Sequence, residues 1–173
     1  MSVRRLATFG VLVLTALLLQ VSVLPRVAGG AFVPDLMLVL VVVLALEHGP
    51  RTALWVAASG GLLADLASAT VPLGSGMLVL VSIAYLLGLL RPYLSERADL
   101  TTAVLAGIAA VITLLGQAAL SALLSAQSVP DASVVAWSAT VVGAFAVLLA
   151  PPVLMLVRRV LTRPEEIDAG LAR

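Results

Sequence analysis

Apolar residues run along this chain in blocks of helical length, and the short breaks between them hold most of its charges and many of its prolines. The first block, 6–24, follows Arg4 and Arg5. It is close to the roughly 20 residues that cross a bilayer and exceeds the core of about 7–15 residues in a cleaved signal peptide. Ala28, Gly29 and Gly30 imitate a cleavage site, yet further apolar blocks follow, so an uncleaved first span is expected. A short second block, 34–47, opens on Pro34-Asp35-Leu36. Proline loses no hydrogen bond at a first helical turn, and an acid there suits the positive end of the helix dipole. The turn Gly49-Pro50-Arg51 starts a third block, 51–67, and Ser68 to Gly76 reads as a turn before a fourth, 74–91. Arg91 to Asp99 forms the longest hydrophilic connection, followed by a long fifth block, 100–126, expected to tilt. Pro130 and Asp131 punctuate the last turn. The sixth block, 134–157, carries Pro151-Pro152, expected to kink it, and Arg158, Arg159 and Arg163, expected to stop it. The remaining segment, 158–173, reads as a solvated tail.

These blocks predict an all-α polytopic membrane protein with about six transmembrane helices in a single domain, 1–173. Composition agrees, since 62% of residues are hydrophobic and 11% charged, against about 45–50% and 25% in soluble domains. Sorting the arginines into alternate breaks gives an asymmetric division. Arg4, Arg5, Arg51, Arg91, Arg97, Arg158, Arg159, Arg163 and Arg173 fall on one side and Arg26 alone on the other. By the positive-inside rule both termini are then expected in the cytoplasm. A net charge of +1 excludes a strongly basic nucleic-acid surface, and the lack of cysteine excludes disulfides and thiolate chemistry.

Few residues suggest chemistry. Asp35 and Asp65 lie near membrane depth, where a carboxylate is costly and marks a functional candidate. The structural alternative is that Asp35 caps its helix, near Arg26, and Asp65 hydrogen-bonds the following turn. Gly60, Gly61 and Ala64, with Ala57 one turn earlier, form a small-residue face that admits another helix closely, from the same chain or from a partner. Gly74 and Gly76 after Pro72 suggest a tight turn. His48, the single histidine, falls at the arginine-rich edge, whereas Ser68 and Ser75 fall at the other, so no serine hydrolase can assemble. Neither an HExxH metal motif nor a phosphate-binding glycine loop occurs, and no catalytic residue, metal or cofactor is expected. Trp55 and Trp137 near span ends read as interfacial anchors. Gln117 is the main mid-span polar group, read as a bond to a neighbouring helix.

The opening Pro34-Asp35-Leu36 and the stretch GPRTALWVAASGGLLADLASATVPLG resemble the rod shape-determining protein MreD family, as do the length and six-span layout. The positions matching its pattern are Pro34, Asp35, Gly60, Gly61, Asp65 and the Leu73-Gly74 turn. The resemblance implies a non-enzymatic scaffold of the bacterial elongasome, the machinery of peptidoglycan synthesis that sets cell shape, or of wall synthesis in sporulation. It implies as partners a bitopic MreC-like protein and, through it or directly, MreB, RodA and a class B penicillin-binding protein. Such chains are also similar in architecture to the six-helix S components of vitamin transporters. A substrate-binding S component is therefore the alternative, although the loops expected outside are short and nearly uncharged.

Overall fold

A computed structural model describes residues 3–23, 35–67, 73–94, 98–125 and 132–171. Those residues form α1 (Val3–Leu18, prolonged by a π-helical turn, Leu19–Val23), α2 (Leu36–His48), α3 (Pro50–Ala67) and α4 (Ser75–Leu90, followed by a 3-10 turn, Arg91–Tyr93). Two long helices follow, α5 (Ala98–Ser125) and α6 (Ala132–Leu171). The all-α polytopic reading holds: three helical stretches, Ser75–Tyr93, Leu100–Leu120 and Ser133–Val160, are long and apolar enough to span a membrane on their own.

The bundle is organised around α2. Its 13 residues reach about 20 Å at 1.5 Å per residue, short of a hydrocarbon core of about 30 Å. Every residue from Met37 to Ala45 is buried, and α1, α3, α4, α5 and α6 all pack against it. A helix that is apolar all round belongs in a core, and α2 has no lipid-facing side along that stretch. Its C-terminus turns on Gly49, whose φ of +87° lies in the left-handed region that glycine enters without penalty. The turn lets α3 begin at once with Pro50.

Packing between the other helices depends on small residues, because lipid solvates apolar side chains as well as protein does and only close approach favours association. In the α3–α4 pair, a Cβ on Gly61 would sit 2.6 Å from the Met77 Cα. One on Gly88 would collide with Pro50, and one on Gly76 with the Asp65 carboxylate. A Cβ on Gly60 would strike the Met37 side chain of α2. In the α5–α6 pair, Gly107 faces Val147 and Gly143 faces Val111, within stripes of buried alanines at Ala103, Ala106, Ala110, Ala146 and Ala150.

The helix that carries the sixth block runs past Arg158 to Leu171, because hydropathy marks where an apolar run ends and not where a helix ends. Its backbone is helical through Pro151-Pro152, as transmembrane helices allow where neighbours satisfy the freed carbonyls.

The glycine contacts separate two kinds of position. Gly61→Val forces the α3 and α4 backbones apart and should lower stability by about 2 kcal/mol, the scale of overpacking. Gly10→Ala, where a Cβ would meet nothing within 4 Å, should not lower it. Thermal unfolding in a mild detergent, followed by circular dichroism, checks both.

Candidate functional site at the two ends of the bundle

Polar side chains gather at the two ends of the helices, which α3 keeps apart: from Pro50 to Asp65 is about 22 Å of helix. At one end, Asp35 is the N-cap of α2. Its Oδ1 accepts a hydrogen bond from the Leu38 amide at 3.1 Å, which satisfies one of the first-turn donors that a helix cannot pair internally. The Met37 amide donates to Gln20 Oε1 at 3.2 Å. Gln20 reaches it from the π-helical turn that ends α1, the kind of local bulge that re-aims a side chain.

Asp65 belongs to the same end and is buried. Its Oδ2 accepts from the Gly74 amide at 3.0 Å and from the Met77 amide at 3.2 Å. A carboxylate on α3 thus caps the first turn of α4, and the two helices are tied at that end. Gly74, at φ +91°, makes the turn. Pro34, Arg26, Ser68 and Pro72 lie outside the described residues.

At the other end, Glu47 Oε1 accepts from Arg158 Nη2 at 2.8 Å and from Nε at 3.1 Å. Arg91 Nη2 donates to the Glu47 carbonyl at 2.9 Å. The end of α2 is thereby clasped by α6 and by the turn after α4. His48 closes α2, and its ring meets the Phe9 ring of α1 edge-on, centroids 6.3 Å apart. It stays far from Ser75, which lies beside the Asp65 cap. Arg51, Arg91, Arg158 and Arg159 share this end of the bundle. Trp55 and Trp137 are exposed near opposite ends, as interfacial anchors would be.

A family model described as rod shape-determining protein MreD matches residues 2–160. The chain belongs to the MreD family. No curated protein and no solved structure matches it, so no comparison supports the expected likeness to the S-component six-helix bundle. The matched region takes in all the candidate residues named from the sequence, and the fold divides them by use. Gly60 and Gly61 are filled by α2 and α4, so a partner's helix approaching that face would have to displace them. Asp35 and Asp65 both hold helix N-termini within the chain. Gln117, singled out from the sequence, is only half-buried. Sequence reasoning passed over Gln20, although a lone amide late in an apolar run is the signal that marks it. It also missed the pairing of Glu47 with Arg158, because residues so far apart in the chain carry no local sign of meeting. Among the described residues, no group of three or more His, Cys, Asp or Glu side chains gathers around a common point.

Asp65→Leu leaves two helix-terminal amides without their acceptor and should lower stability by about 2 kcal/mol, the scale of a hydrogen bond to a charged group. Asp65→Asn keeps a side-chain oxygen and should recover most of that loss in the same thermal assay. For the half-exposed Glu47–Arg158 pair, a double-mutant cycle with glutamine at each position should give a coupling of about 0.5–1 kcal/mol.

Proposed function

We propose that this MreD-family protein is a non-enzymatic scaffold of the bacterial elongasome. In this reading it lies in the cytoplasmic membrane with both termini in the cytoplasm and holds a bitopic MreC-like protein beside the wall synthases. Family membership over residues 2–160 carries the reading. The segregation of arginines to one end of the helices supports the orientation. The fold supports a role in assembly: Asp35, Asp65 and Glu47 are engaged in capping and clasping helices, and the exposed surface is apolar over most helices, with Leu14, Leu66, Tyr85, Leu115 and Leu148 all outward. MreB, RodA and a class B penicillin-binding protein join the assembly through the MreC-like partner or directly.

In this reading partner contacts use the outward faces of the helices, while Gly60, Gly61 and Asp65 act indirectly by keeping α3 in place. A vitamin-binding S component remains the contrasting reading, since it shares the six-helix layout.

Purification of the tagged protein from native membranes, followed by mass spectrometry of accompanying proteins and small molecules, separates the two. An MreC-like protein and wall synthases should be recovered without a stoichiometric solute. Recovery of a transporter energising module, or of one vitamin-sized ligand per chain, would overturn the scaffold reading.

A further inference from the structure

α1 and α3 touch but do not close against each other along their whole length. Between them runs a groove of about 770 Å³ lined by Phe9, Gly10, Val13 and Leu14 on one wall and by Trp55, Val56, Ser59 and Leu63 on the other, with Thr52 at its mouth. Gly10 opens it, since a Cβ there would meet nothing within 4 Å. The lining is apolar along its length. Ser59 turns its hydroxyl back to the Trp55 carbonyl at 2.8 Å, so its polarity is already satisfied.

Two features define the occupant. The first is length: from Thr52 to Leu63 the α3 wall extends about 16 Å, which is one leaflet of a hydrocarbon core about 30 Å thick. A partner's spanning helix would need a seat across both leaflets. The second is charge. The groove begins at the arginine-rich end, where Arg51 sits one helical turn before Trp55 on the same stripe of α3, exposed. Arg4 and Arg5 occupy the first turns of α1, before Phe9, and His48 lies against Phe9. Glu47, the neighbouring acid, is engaged by Arg158. The first turn of α3 adds the positive end of its helix dipole.

We propose that this groove binds one anionic phospholipid from the leaflet on the arginine-rich side. Its phosphate sits on Arg51, and one acyl chain lies along Trp55 over the gap left by Gly10. Arginine supplies the paired donors that a phosphate accepts, and the exposed Trp55 ring lies just below the headgroup level, where aromatic side chains concentrate. The inference does not depend on the scaffold reading, because it concerns the bilayer and needs no other protein.

The test is native mass spectrometry of the whole protein released from nanodiscs of equal parts dioleoyl phosphatidylglycerol and dioleoyl phosphatidylcholine. The wild type should retain one phosphatidylglycerol in preference to phosphatidylcholine. Arg51→Gln should reduce that preference about fivefold, the worth of one arginine near an anionic surface, while Arg159→Gln, exposed on α6 at the same end, should leave it unchanged. Gly10→Leu, which fills the gap, should abolish retention of both lipids. Equal retention of the two lipids by the wild type, an equal loss from Arg51→Gln and Arg159→Gln, or unaltered retention by a folded Gly10→Leu would each overturn the proposal. So would a Gly10→Leu protein that keeps its lipid but loses a co-purifying membrane protein, since the groove would then seat a helix. If Gly10→Leu does not fold, the contrast between the two arginine variants still decides.

Discussion

The enclosure of α2 is the constraint on which the remaining structure depends. A helix of 13 residues cannot reach both faces of a membrane, and its ends would leave backbone groups stranded in hydrocarbon, where each unsatisfied group costs several kcal/mol. The protein meets this by surrounding α2 with the other helices and supplying partners at both ends. Asp35 and Gln20 accept from amides of the first turn, and Arg91 donates to the Glu47 carbonyl at the last. The Arg158 guanidinium fixes the Glu47 side chain at the same place. The polar contacts in the two end clusters thus serve to seat this one helix or to tie the pair beside it.

Close approach to α2 requires neighbours with little side chain. Gly60 on α3 meets Met37 of α2 so closely that a Cβ there would strike its side chain, and Ala53 and Ala57 on α3 and the alanine stripes of the α5–α6 pair are likewise buried. Their contribution is packing and not hydrophobic transfer, since lipid would solvate the same surfaces equally well. The small-residue face of α3 is therefore occupied from within. What the bundle leaves outward is the opposite face of α3 with Trp55, the side of α4 with Leu78, Tyr85 and Leu86, the outer sides of α5 and α6, and the side of α1 that leaves the groove open. These surfaces differ in character: α5 and α6 present large aliphatic side chains, whereas the α1–α3 groove is an apolar recess with the exposed Arg51 one turn before Trp55.

Much of the plan was legible in the residues. The break expected at Gly49-Pro50 is where α3 begins, at Pro50. At the sixth block, Arg158 and Arg159 end an apolar run without ending a helix. For Asp65 the sequence offered two meanings, and the amides of Gly74 and Met77 supplied its partners. Gln20 was overlooked because its role arises only where the π-helical turn of α1 passes the start of α2.

The sequence by itself determined that this is a multi-pass helical membrane protein, roughly where its helices lie, and that its arginines favour alternate breaks. These properties are sums over local composition, and the bilayer reads them locally. Only the tertiary structure decided which helix is enclosed, which face of each helix is turned inward, and which distant polar groups meet. In a bilayer the inward and outward faces are both apolar, so the periodicity that would separate core from surface in water is weak along most of these helices. α2 shows this most clearly: it is apolar on every side, and nothing in its thirteen residues says that five other helices surround it.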